Sequence, residues 1–313
     1  MSRSPVALSP TATPSRGTGA AKRAARGAWL SALRGQIPVA AIAVVLLALW
    51  YGLGLYSDVP FAQETLGKGA TFDQVLRTAL TLPSPFVPLP HQVLGDFFGA
   101  LAQPFDSPRG LWVHLEATGS EALLGLCCGA ILGVLIATIF VHSRPIESAF
   151  LPFVVASQTV PVLALAPIVV STLGITLTAK VVVATYLAFF AVAVSTLKGF
   201  KSADPLALEL MRSYAANRWQ VYRTLLFPVA LPYLFAGLKI AATASLVGAI
   251  VAELPFGSRT GLGARLIEAT NYNETIAWWS TMLAGAVLGI VAFAAISLLE
   301  RLVVKRRPAE LGG

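Results

Sequence analysis

The sequence predicts an all-α, polytopic membrane protein with about six transmembrane helices, on three observations. Of its 313 residues 56% are hydrophobic and only 12% charged, and the mean hydropathy is +0.73. A soluble domain this apolar could not cover its surface with polar groups. The apolar residues gather into runs of about 20, the length that crosses a hydrocarbon core of roughly 30 Å. Third, basic residues concentrate in alternate segments between those runs. Residues 1–36 hold six Lys or Arg and no acid, whereas residues 57–110 hold three basic and five acidic residues. This is the positive-inside pattern, and it accounts for the net charge of +8 without a nucleic-acid partner.

The elements follow in chain order. Residues 1–36, rich in Ser, Pro, Arg, Gly and Ala, are expected to be a disordered, basic, cytoplasmic segment. The run after it is too long for a signal-peptide core and reads as the first span, Val39–Tyr56, within residues 37–56. Residues 57–110 are expected to be a periplasmic loop. Its Leu82–Pro90 stretch is proline-rich and extended, and Val93–Leu101 reads either as a short amphipathic helix at the membrane interface or as a plain surface helix. A core of residues 111–300 carries five more spans: Thr118–Phe140, Phe150–Leu173, Thr178–Leu197, Leu234–Leu254 and Trp279–Leu299. Residues 301–313, with Arg301, Lys305, Arg306 and Arg307, form a cytoplasmic tail. The count places both termini on the same, cytoplasmic, side.

Within the spans a few residue types stand out. Gly125, Gly129 and Gly133 share one helical face, as do Gly285 and Gly289, and small residues at this spacing let backbones approach closely in lipid. Packing within the chain is the expected use, a seam between subunits the alternative. Cys127 and Cys128 read as two small buried hydrophobes. Pro152, Pro161 and Pro167 require the third span to be bent or interrupted, and carbonyls freed at that depth must face protein or a watery path. Gln158, Thr159 and Pro161 are therefore pathway-lining candidates. Tyr186 and Phe190, with Phe189, offer ring faces for a planar solute, or simply core packing. Lys180 and Lys239 lie near span ends and are expected to snorkel. Glu253 ends the fifth span and reads as part of an outer gate, as a partner of Arg259 or Arg265, or as a carboxylate in interfacial water.

The stretch Asp204–Pro232, within a cytoplasmic loop of residues 198–232, is polar and basic between two apolar runs. Asp204 followed by Pro205 reads as an N-cap and first helical residue. Asn217 with Gln220 three residues later reads as a capping box, so two short helices meet at Ala215-Ala216. A connector between spans has no need of two capped helices; a docking element does. Catalytic chemistry is missing. No phosphate-cradling G-x-x-x-x-G-K-[ST] occurs, His91, His114 and His142 are scattered, and no serine sits in a G-x-S-x-G elbow.

This insert resembles the cytoplasmic E-A-A…G…L-P loop of the transmembrane subunits of binding-protein-dependent ABC importers. Glu209 stands at the glutamate and Leu225-Leu226-Phe227-Pro228 at the closing segment. Gln158–Gly174, the LPYLFAGLKIA run and Val251–Leu266 are similar to the nitrate/sulfonate/taurine branch, and the likeness spans roughly residues 80–300. Leu210-Met211 replaces the two alanines, Ala215 the usual glycine, and Glu121 a commonly basic residue. The resemblance implies a non-enzymatic permease subunit that forms the translocation pathway for a small solute. Such a subunit pairs with a second permease copy, docks two cytosolic ATP-binding subunits that hold ATP and Mg, and receives solute from a periplasmic binding protein. It implies a bacterial inner-membrane location and no cofactor in the chain itself. Asp204, Glu209, Arg212, Tyr214, Ala215 and Asn217 would form the ATPase-coupling element. The solute would be a nitrate-, sulfonate- or taurine-like anion, or a heterocyclic vitamin precursor such as hydroxymethylpyrimidine or riboflavin. The competing class is an ion-coupled secondary transporter or channel, which would want intramembrane carboxylates or a repeat; a membrane enzyme lacks any supporting constellation.

Overall fold

A computed structural model describes residues 18–67, 69–254 and 258–304, with side chains from residue 38 onward. Among them every regular element is helical. α1 runs Thr18–Leu66, α2 Phe72–Leu80, α3 Pro90–Leu101, α4 Leu111–His142, α5 Arg144–Ser157 and α6 Val162–Leu173. α7 covers Leu177–Lys201, α8 Pro205–Ser213, α9 Arg218–Val221, α10 Phe227–Glu253, α11 Leu262–Asn271 and α12 Thr275–Val304; one π turn, Tyr222–Leu226, joins α9 to α10. Among the described residues five helical stretches are long and apolar enough to cross a membrane, and α5 with α6, bent by 93° at their break, pass the same test only as a pair, as a broken span or a re-entrant loop.

Proline chemistry explains the bend. Pro161 caps α6 and supplies no amide, so the ladder stops over residues 158–161 and restarts with Ala164 and Leu165 donating to the Pro161 carbonyl. Helical backbone is present from Thr18, inside the segment expected to be disordered. The first seventeen residues and the tail beyond Val304 lie outside the described residues. α1 also continues ten residues past the expected end of the first span, to Leu66.

The core is the stack of α7 against α4 and α10. Glycines set the spacing on both faces. A Cβ at Gly125 would sit 2.3 Å from the Ala184 Cβ, one at Gly133 2.7 Å from the Phe189 carbonyl, and one at Gly248 of α10 2.8 Å from the Ala184 Cα. The α4 glycine face is thus used inside the chain, with α7 as its partner. Gly285 and Gly289 of α12 meet Ile250 and Leu246 of α10 at ordinary contact distance. Cys127 and Cys128 turn outward from this stack and are exposed rather than buried, because the glycine face takes the inward side of α4.

Residues 57–110 form a folded layer rather than a plain loop. Asp58, buried near the end of α1, accepts the Phe86 amide at 3.0 Å, and Trp50 donates to the Pro88 carbonyl at 3.0 Å. α2 packs on α1 through Val75 and Ala79. α3 buries Phe97 and Ala100 against Leu111, Leu262 and Ala284, and Val93 is buried as well, so its apolar face meets protein and not the membrane interface. This layer and α11 sit at one end of the bundle. α8 and α9 sit at the other.

Candidate functional site

The α8–α9 segment is built from local hydrogen bonds that its own sequence supplies. The Asp204 carboxylate accepts the Leu206 amide at 3.0 Å and Pro205 opens the helix. At its end the Ala215 amide donates to the Arg212 carbonyl at 2.9 Å and the Ala216 amide to the Met211 carbonyl at 3.0 Å. That pair of bonds is the Schellman arrangement, and it puts Ala215 at φ 54°, the left-handed region that usually takes glycine. The Asn217 box is complete: its amide donates to Gln220 Oε1 at 2.8 Å, and its Oδ1 accepts the Gln220 amide at 2.9 Å.

No residue of α8 is buried. Glu209 and Arg212 are exposed and make no ion pair with one another, so Glu209 is free of the intrahelical partner available at i+3. Leu206, Leu210 and Tyr214, at helical spacing, are 72%, 57% and 77% exposed. The two leucines were not singled out from sequence. The signal for them was present, as i and i+4 apolar positions on a helix that has nothing to pack on.

Around the α5–α6 break, Gln158 is half-buried and its Nε2 has no partner among the described residues. The exposed Thr159 turns its hydroxyl back onto the Ala156 carbonyl at 2.7 Å. Tyr186 of α7 donates its hydroxyl to the Ser157 carbonyl, which places that ring beside the break. Its neighbour Phe189 is buried at 6.1 Å between centroids, and Phe190 is half-buried. The break therefore gathers Gln158, Thr159, Pro161 and Tyr186, with the restarting α6 adding unpaired amides.

Glu253 belongs elsewhere, and two expectations for it are corrected, the partnership with an arginine and the carboxylate in interfacial water. It is 1% exposed and pairs with neither arginine. Its carboxylate accepts the Thr118 hydroxyl at 2.7 Å and the Gly263 amide at 2.6 Å, while the Leu262 amide donates to Thr118 at 2.7 Å. Thr118 and Glu253 thus satisfy two of the orphan amides that open α11, those of Leu262 and Gly263. Gly261, at φ 116°, lies so close that an added Cβ would fall 2.2 Å from the Glu253 carboxyl carbon. Arg265 instead donates to Thr281 at 3.0 Å, to the Arg109 carbonyl at 2.8 Å and to Asp96 at 3.4 Å. Arg259 is exposed.

The two span lysines do not snorkel. Lys180 is buried and meets Glu121 at 2.6 Å, bridging α7 to α4; Lys239 meets Glu300 at 2.5 Å, bridging α10 to α12. Each carboxylate lies on a neighbouring helix, which sequence spacing alone could not reveal. Among the described residues no group of His, Cys, Asp or Glu has metal-binding spacing.

Apolar spanning helices, a broken span with free hydrogen-bonding groups and a capped helix pair outside the bundle together define a membrane transport subunit. Residues 129–307 match the family of binding-protein-dependent transport system inner membrane components, and the chain belongs to that family. It is 33% identical to the riboflavin transport system permease protein RibX of Chloroflexus aurantiacus over 82% of this chain and 91% of the relative. Two further relatives are the formylaminopyrimidine transport permease protein ThiX of Halalkalibacterium halodurans (34%, over 63% and 78%) and the taurine transport system permease protein TauC of Escherichia coli (33%, over 68% and 77%). The chain is a multi-pass inner-membrane permease subunit of an ABC importer.

Proposed function

We propose that α8 is the element through which ATP-binding subunits drive this permease, and that a second copy of the chain completes the translocation pathway. The observation that carries this reading is the exposure of Leu206, Leu210 and Tyr214 on a helix held clear of the bundle by caps at both ends. An apolar stripe with a charged flank (Glu209, Arg212) is the chemistry of an amphipathic helix entering a groove on a partner. Closure of two ATP-binding subunits, with ATP and Mg held there, would move α8 and rock the spans between inward-open and outward-open states. The α8 end is then cytoplasmic, together with the chain's termini, and the layer of residues 57–110 faces the periplasmic binding protein. Solute passes the α5–α6 break, where Gln158, Thr159, Pro161, Tyr186 and Phe190 are the contacts. Glu253 holds the outer end in shape without touching solute. The names of relatives support either a heterocycle or a sulfonate-like solute.

Replacing Leu210 by Asp, Glu209 by Arg or Tyr214 by Ala should reduce co-purification of the ATP-binding subunits while the permease still reaches the membrane. Full co-purification in all three variants would reject the docking role. A cysteine at position 158, in a background without Cys127 and Cys128, should react with a water-soluble maleimide at a rate that changes with nucleotide. A rate near zero in every state would remove Gln158 from the pathway.

A further inference from the structure

The coupling segment is joined to the bundle very unevenly. Every residue from Asp204 to Val221 is exposed or half-buried. On the N-terminal side α8 hangs from Ala203, next to the Lys201–Glu147 ion pair between α7 and α5. On the other side Tyr222 is the first buried side chain, 9% exposed, and it opens the π turn.

Tyr222 touches several elements at once. Its ring lies 5.4 Å from His142 of α4, 5.5 Å from Phe200 of α7 and 6.0 Å from Phe227 of α10, centroid to centroid. Trp219 of α9 stacks on it at 5.5 Å with the planes 19° apart. Its hydroxyl lies 3.0 Å from Thr138 Oγ1. Thr138 already gives its own hydrogen to the Val134 carbonyl at 2.7 Å, so Tyr222 must be the donor. The same turn of α4 is held by His142, whose Nδ1 lies 2.7 Å from the Thr138 carbonyl. Tyr222 also sits in a cluster with Ala137, Phe140, Leu197, Phe200 and Ala230.

The backbone beside it is the one place where the long helix from Arg218 to Glu253 departs from α geometry. The Phe227 amide donates to the Tyr222 carbonyl, a five-residue step. Such π turns are rare, occur often at functional sites and are where helices bend. A bend there swings α9 and α8 about Tyr222 while α10 stays packed.

We infer that Tyr222 is a positioning residue that carries the displacement of α8 into α4, with the π turn as its hinge. This rests on the docking of α8 proposed above. A rigid ring bonded to α4 at one end and stacked on α9 at the other moves both together. Without the hydroxyl bond, α9 and α8 can shift while α4 stays in place.

The test is hydrogen–deuterium exchange on the complete complex of permease and ATP-binding subunits in nanodiscs, with and without Mg-ATP plus orthovanadate. In the unmodified complex nucleotide should alter exchange over residues 205–217 and also over 134–142. Tyr222→Phe should retain the first response and diminish the second about three- to tenfold, the factor carried by one neutral hydrogen bond. Thr138→Val should do the same, and the double variant should lose no more than either, since both remove one bond. An undiminished response over 134–142 in both Tyr222→Phe and Tyr222→Leu overturns the relay. So does loss of both responses together in Tyr222→Phe with ATP-binding subunits still bound, which is the mark of general loosening. Absence of any response over 205–217 in the unmodified complex overturns the docking reading itself, and the relay with it.

Discussion

Ala215 at φ 54° is a residue held where L side chains are disfavoured by roughly 1–2 kcal/mol. Glycine there would relieve that strain but gain more freedom in the unfolded chain, leaving a net benefit below about 1 kcal/mol. Ala215→Gly should therefore slow amide exchange at Ala216 about threefold, and Ala215→Val should speed it. Equal exchange in all three would mean the turn is set by its partner rather than by its own backbone. Glu253 makes the opposite case, a buried carboxyl whose two oxygens both have partners. Glu253→Ala leaves the Gly263 amide and the Thr118 hydroxyl without their acceptor, at about 1–3 kcal/mol for each buried group left unpaired. The midpoint of thermal unfolding in detergent should fall clearly, and less in Glu253→Gln, which keeps one oxygen acceptor. Gly261 and Gly263 sit where a loop opens into α11. That the loop wraps a carboxylate ten residues upstream of Gly263 did not appear in any local pattern.

Pairs of helices decide the next scale. Lys180–Glu121 fastens α7 to α4 at 2.6 Å in a setting where neither charge reaches water. Such a pair contributes little net stability, because desolvation offsets attraction, but losing one member strands the other. Lys180→Met should destabilise by about 3–5 kcal/mol, and Lys180→Met with Glu121→Leu should recover most of that loss. Thermal unfolding checks both, and a double variant no better than the single one would contradict the account. The glycine faces of α4 and the capped ends of α8 and α9 were legible in sequence, since spacing and caps are properties of one helix. The partners were not. Periodicity says which side of a helix is small, not which neighbour comes to lie on it. Pro161 announced a break, but its 93° angle goes with α5 packing on α4 while α6 packs on α7 and α10.

For the whole molecule the consequence is polarity along the membrane normal. The layer of residues 57–110 and α11 lie at one end, α8 and α9 at the other. Single cysteines at Tyr214 and Tyr272, both largely exposed, should therefore be labelled from opposite faces by a membrane-impermeant reagent. In intact spheroplasts only position 272 should react; labelling at 214 there would invert the topology. Sequence charge already pointed to this orientation, through the basic residues at 198, 201, 212, 218 and 223.

Apolar run length and the capping residues determined, from sequence alone, that this is an all-α membrane protein with about six apolar spans and a pair of capped short helices between two of them. These are short-range or additive properties, and one chain read in order contains them. The structure alone decided what Glu253, Lys180, Lys239 and Tyr222 do. Each is a buried or half-buried polar group whose meaning is its side-chain partner, and those partners lie from 59 to 135 residues away along the chain. In a low-dielectric interior such groups must find one another, and only packing determines which ones meet.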